Sequence, residues 1–192
     1  MTQSVSRLLL IGPPGSGKGT QAVRIAEHLG IPAISTGDIF RMNVAEGTDL
    51  GKTAQRYMDA GEYVPDEVTN AMVADRLTHS DAAQGFLLDG YPRTQAQVKE
   101  LDQMLERQGV QLDAVVELAA HTEELVTRLL GRAAQQGRSD DTEPVIRRRL
   151  EVYTEQTAPL VQLYDDRGLL LRVDGLGSID EVGQRLQAAL SS

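Results

Sequence analysis

The chain has 192 residues, 41% of them hydrophobic, a net charge of -9 at pH 7 and no cysteine. A chain of this length buries about 70% of the surface it exposes when unfolded, so one compact unit with small insertions is expected. The lack of cysteine excludes disulfides, thiolate metal sites and a cysteine nucleophile, and the acidic balance argues against a nucleic-acid surface, which needs a broad basic face.

No run approaches the roughly 20 apolar residues that a membrane span needs, and the opening MTQSVSRLLLIG reaches a glycine-rich turn before a signal-peptide core develops. A soluble, cytoplasmic protein with neither membrane nor nucleic-acid partners is expected, with any metal held by oxygen ligands. A polyanionic ligand must then be met by a local cluster of cations. These are 16 Arg and only 3 Lys (Lys18, Lys52 and Lys99); Arg is the better bidentate partner for phosphate, and Lys acts as a point charge.

The first apolar run, Arg7 to Ile11, reads as a strand and enters GPPGSGKGT, Gly12 to Thr20, followed by the helical pattern QAVRIAEHL. Glycines let this backbone turn tightly and aim its amide hydrogens inward. Lys18 can reach β and γ phosphates, and the next helix starts with its positive dipole end toward them. The pattern fits GxxxxGK, with Gly19 where Ser or Thr is usual and Thr20 one place later. It predicts a nucleoside triphosphate ligand and does not by itself choose among switches, motors and kinases. No guanine-reading NKxD segment is present.

Further strands are expected at Ala33 to Ser35, Phe86 to Asp89, Ala114 to Leu118 and Leu169 to Val173. Continuous apolar strands alternating with amphipathic segments predict a doubly wound α/β fold, a five-stranded parallel sheet covered on both faces, with ligands at the carboxyl ends of the strands. The stretch from Ser35 to Phe86 is too long for one crossover helix and carries helical patterns at Leu50 to Ala60 and Asp66 to His79, so it predicts a helical insertion. Gly131 to Asp141, GRAAQQGRSDD, is polar and falls between two helices, which predicts a short mobile flap. His28, His79 and His121 have no informative partner pattern and read as structural.

Four spaced motifs, GPPGSGKGT, ISTGDIFR (Ile34 to Arg41), GEYVPDEV (Gly61 to Val68) and LLDGYPRT (Leu87 to Thr94), together with the later arginines, resemble the adenylate kinase family of short-lid type, over nearly the whole chain and in the expected order. The resemblance implies one P-loop domain over 1–192, with a core of 1–34, 65–130 and 142–192, a nucleoside-monophosphate-binding insertion at 35–64 and a short lid at 131–141. It implies reversible transfer of the terminal phosphoryl group of ATP to AMP, giving two ADP, in adenine nucleotide homeostasis. The partners implied are ATP, AMP and ADP, and the implied state is a monomer.

The resemblance also implies residue roles. Gly15, Ser16, Gly17, Lys18, Gly19 and Thr20 would hold the ATP phosphates, with Arg128 and the backbone near Gly177 on either side of its adenine. Thr36 would face the adenine of AMP and Arg41 its phosphate; from the residues alone, Thr36 or Asp38 reads as the cap of the helix after Gly37. Glu62, Tyr63 and Val64 would line the AMP pocket through their backbone, Gln97 would pair with its adenine, and Gly90, Tyr91 and Pro92 would present Arg93, with a cis peptide before Pro92. Arg132, Arg138 and Arg149 would join Lys18 and Arg93 around the moving phosphoryl group. Arg147, Arg148 and Arg149 point about 100° apart on a helix, so the sequence does not choose among them and only the resemblance selects Arg149. Asp89, ending an apolar strand, would orient waters around magnesium; no zinc is expected, since the lid has neither cysteine nor histidine.

Arg128 and Arg132 lie i, i+4, on a helix face apart from Leu125, Val126, Leu129 and Leu130. Like charges there cost a few tenths of a kcal/mol that a bound anion would remove. The nearest rival reading is a UMP/CMP kinase, against which stand Thr36 and the Thr94 to Gln97 segment. A nucleotide-binding switch is the rival from another class, and it has no use for the second set of arginines.

Overall fold

The structure is a computed structural model that describes residues 5–120, 122–136 and 142–191. Five strands, β1 (Arg7–Ile11), β2 (Ala33–Ser35), β3 (Phe86–Asp89), β4 (Ala114–Ala119) and β5 (Leu170–Asp174), form one parallel sheet in the order β2-β3-β1-β4-β5. The chain steps from β1 to one side of the sheet and later crosses to the other. The carboxyl end of β1, between β3 and β4, is therefore the switch point where α/β sheets bind ligands.

The strands read as continuous apolar runs because both faces are covered. Leu9, Ile11, Ile34, Leu88 and Val115 face α4 (Asp66–Leu77), α5 (Gln95–Arg107) and α8 (Ala158–Asp166), which contribute Val73, Leu101 and Tyr164 among others. Leu8, Leu10, Leu87, Val116 and Val173 face α1 (Lys18–Leu29) and α9 (Ile179–Leu190), through Ile25 and Leu186.

Between β2 and α4 lie α2 (Thr36–Glu46) and α3 (Asp49–Asp59). They pack closely enough that a Cβ on Gly51 would sit 2.1 Å from the carbonyl oxygen of Asn43. Phe40, Ala54 and Val64 give this insertion a small core of its own. Ser35, not Thr36 or Asp38, caps α2: its hydroxyl accepts from the Asp38 N–H at 3.3 Å.

Helix α6 (Thr122–Gln136) packs Leu125 and Leu129 against Ile146 and Leu150 of α7 (Glu143–Val152). It extends through Gln136, into the segment assigned by sequence to a flap, because Ala133, Ala134, Gln135 and Gln136 are good helix formers. Leu130, placed by sequence on the apolar face, is 40% exposed, since the helix turns it away from α7. A π-turn, Tyr153–Thr157, joins α7 to α8 in one helical run.

Candidate active site

The loop from Gly12 to Thr20 closes over the end of β1. Gly15 and Gly17 hold φ of 84° and 91°, a region that L side chains rarely occupy, and no side chain caps the first turn of α1. The first turn of α1 thus presents its N–H groups and the positive end of the helix dipole without a side-chain cap, an anion site. Lys18 Nζ donates to the Pro13 carbonyl at 3.0 Å, and the Ser16 hydroxyl is buried without a partner among the described residues.

This loop forms one wall of a cleft of about 440 Å³, lined by Gly15, Gly17, Lys18, Gly19, Thr20 and, opposite, Asp38, Arg41, Asp89, Gly90, Arg93, Arg128 and Arg149. A second, narrower cleft is lined by Thr36, Phe40, Arg41, Met58, Glu62, Tyr63, Val64, Thr69, Gly90, Arg93, Gln97 and Arg149. The two share Pro14, Gly37, Arg41, Gly90, Arg93 and Arg149. Two sites meeting at a band of arginines suit two phosphorylated ligands placed end to end.

Local structure explains why each cation faces inward. In α7, Arg147 pairs with Glu143 at 2.8 Å and Arg148 with Glu62 at 2.6 Å, whereas Arg149 lines both clefts; the three consecutive arginines are sorted by the helix turn. Arg93 follows a cis Tyr91–Pro92 peptide. Its Nε donates to the Gly90 carbonyl at 2.7 Å, and its guanidinium lies 4.9 Å from the centre of the Tyr63 ring. Its main-chain oxygen accepts from the Thr157 hydroxyl at 2.8 Å, itself 2.7 Å from the Tyr63 hydroxyl. A Cβ on Gly90, at φ 82°, would sit 2.7 Å from the Thr36 hydroxyl and 2.8 Å from Arg93, so only glycine fits.

Asp89 ends β3 beneath this band, 8% exposed. Burial pushes its carboxyl above the ordinary value, and Lys18 and Arg93 pull it partly back. Among the described residues no group of three or more His, Asp or Glu could hold a metal ion. A single desolvated carboxylate beside a phosphate loop fits magnesium, which keeps most of its waters and takes further oxygens from a phosphate substrate.

Several residues differ in detail from their expected placement. Thr36 is 2% exposed and donates its hydroxyl to the Gly90 carbonyl at 2.9 Å. Tyr91 is in the core, with its hydroxyl donating to Asn70 at 2.7 Å, and Pro92 lines the space behind the arginine band. Arg128 is paired with Glu124 at 2.5 Å, so its like-charge neighbour at i+4 is offset by a carboxylate at i-4. Gly177 lines neither cleft, but its loop lies near the phosphate loop: a Cβ on Gly175 would sit 3.4 Å from the Ser16 carbonyl. The Arg132 side chain and Arg138 lie outside the described residues, as does the rest of the flap at 137–141.

Sequence reasoning missed Thr157, Phe40, Met58 and Asp66. Thr157 and Asp66 act through partners distant in sequence, and Phe40 and Met58 are ordinary apolar residues of amphipathic helices, so no local signal marks any of them.

A sequence model of the family described as Adenylate kinase matches residues 10–169. The chain belongs to the adenylate kinase family. It is 67% identical over 186 residues to the adenylate kinase of Kocuria rhizophila, covering 97% of this chain and 99% of that one. It is 64% identical over 184 residues to the adenylate kinase of a Nocardioides species (96% of each chain) and 58% identical over 187 residues to that of Clavibacter michiganensis (97% of this chain and 94% of that one). Family membership accounts for the two clefts joined at an arginine band.

Proposed function

We propose that the chain transfers the terminal phosphoryl group of ATP to AMP, reversibly, giving two ADP. The observation that carries the reading is the pair of clefts that share Arg41, Arg93 and Arg149, one floored by the phosphate loop. A switch protein needs only the first cleft.

ATP occupies the larger cleft, its phosphates on the loop amides and Lys18, and its adenine between Arg128 and the Gly177 loop. AMP occupies the narrower cleft, its base toward Thr36, Val64 and Gln97 and its phosphate toward Arg41, Arg93 and Arg149. Asp89 would hold magnesium through water, and the ion would supply charge neutralisation on the ATP phosphates. The attacking oxygen belongs to a phosphate monoester with a second pKa of about 6, so no general base is required at pH 7. The residues position donor and acceptor in line and compensate charge on the moving group. Arg132 and Arg138 complete this cage by closing the lid at 131–141 over both nucleotides, which keeps water from the γ phosphate. The insertion at 35–64 closes from the other side. The protein works as a cytoplasmic monomer without zinc; no described helix is long and apolar enough to cross a membrane.

The assignment of Arg149 is tested by comparing its neighbours. Arg149→Ala should lower kcat by about a hundredfold or more, the scale of one lost transition-state donor, while Arg147→Ala, removing only an exposed pair worth under about 1 kcal/mol, should leave kcat and both KM values within about twofold. Equal effects of the two would refute it.

A further inference from the structure

Gln97 is 1% exposed and lines the narrower cleft, yet its amide is already engaged on its protein side. Its Oε1 accepts from the Arg93 main-chain N–H at 2.7 Å. Its Nε2 donates to Asp66 Oδ1 at 2.7 Å. A carboxamide can be turned over with no change in shape, but a main-chain N–H only donates and a carboxylate only accepts. Turning Gln97 over would replace both bonds with a donor facing a donor and an acceptor facing an acceptor. The order of its two ends is therefore imposed by its neighbours. The other oxygen of Asp66 accepts from the Thr94 hydroxyl at 3.0 Å, and the same hydroxyl accepts from the Gln97 main-chain N–H at 3.2 Å, so Asp66 also fixes the first turn of the helix that carries Gln97.

What Gln97 keeps for a ligand is one Nε2 hydrogen and one Oε1 lone pair, adjacent and in a fixed order. Adenine offers a matching edge, the N1 acceptor beside the 6-amino donor. A 6-oxopurine in the same pose offers the reverse, an N1–H donor beside an O6 acceptor, at almost identical size. Shape alone separates such isosteres weakly, whereas hydrogen-bonding sites of fixed polarity separate them strongly. We propose that Asp66 is a specificity-determining positioning residue, which locks the polarity of Gln97 and so selects a 6-aminopurine monophosphate over a 6-oxopurine one. This rests on the reading that Gln97 faces the base of AMP.

The test is the ratio of kcat/KM for AMP to that for IMP, with ATP as donor, in the wild type and in Gln97→Ala, Asp66→Ala and Asp66→Asn. Gln97→Ala should collapse the ratio. Asp66→Ala should lower it at least about tenfold, mainly through a higher KM for AMP, with the KM for ATP within about twofold, because the amide is then free to turn. Asp66→Asn, which keeps the size but both donates and accepts, should lower it severalfold, and it serves if the Ala variant does not fold. A merely structural role for Asp66 would weaken AMP and IMP alike and leave the ratio unchanged. If Gln97→Ala collapses the ratio while neither Asp66 variant alters it, the proposal falls and the reading of Gln97 stands; if Gln97→Ala leaves the ratio unchanged, that reading falls and takes the proposal with it.

Discussion

Lys18 works from a partly exposed position at the start of α1, where its ammonium meets ligand and not the core. Lys18→Ala should therefore cut phosphoryl transfer by at least about a hundredfold while shifting unfolding by no more than a surface change does, about 0.5 kcal/mol; paired turnover and denaturation measurements check this, and near-normal turnover in the folded variant contradicts it. Asp89 is the opposite case, a functional residue held at a cost to stability. Burial raises its carboxyl above the ordinary value. A carboxyl whose pKa is higher folded than unfolded makes the protein lose stability as pH rises from the unfolded value, about 3.9, through the folded one, and the loss persists above it. Asp89→Asn removes that loss. The ligand-free variant should melt above the wild type at pH 7, and the two curves should converge as pH falls below about 4, while magnesium-dependent transfer drops. Calorimetry at the two pH values decides it, and an Asn variant less stable at pH 7 would show that the pairing with Lys18 and Arg93 outweighs burial.

Among the elements, the α2–α3 hairpin depends on a single glycine. Gly51→Ala adds a better helix former, worth about 1 kcal/mol, but sets its Cβ against the backbone of Asn43, and helix backbones do not yield as a flexible side chain would. The overpacking, about 1–3 kcal/mol, should win, so the variant is expected to raise the KM for AMP severalfold with little change in that for ATP. Equal changes in both constants would mean that the hairpin does not belong to one site alone. Elements were also the scale most legible in the sequence. The strands showed as short apolar runs because both sheet faces are buried, and β1, β2 and β3 fall on the expected residues, while β4 and β5 end one residue later. The phosphate loop was legible because its geometry is local. The supports of the site were not: Gln97 meets Asp66 across 31 positions, Arg93 meets Thr157 across 64, and Glu62 meets Arg148 across 86. Ordinary polar residues so far apart carry no pattern until the fold brings them together. The three arginines of α7 were undecidable for a related reason, since the pairing of Arg148 with Glu62, far away in sequence, helps to distinguish them.

At the scale of the whole molecule, the doubly wound sheet places the phosphate loop after β1 and Asp89 at the end of β3 at one edge, and the register that sets Leu10 beside Asp89 brings them together. The insertion between β2 and β3 and the helix α7 contribute Arg41 and Arg149 to the wall that both clefts share, and α6 adds Arg128 to the larger cleft. A molecule charged at -9 overall thus concentrates positive charge where two nucleotides meet, and its chemistry is transfer between them. The most direct test follows ATP, AMP and ADP together by phosphorus NMR with purified protein and magnesium. Two ADP should appear for each ATP consumed, only when AMP is present, and UMP, CMP or GMP in its place should support transfer at least about a hundredfold less well. ATP loss with inorganic phosphate and no consumption of AMP, or faster transfer to a pyrimidine nucleotide, would contradict the account.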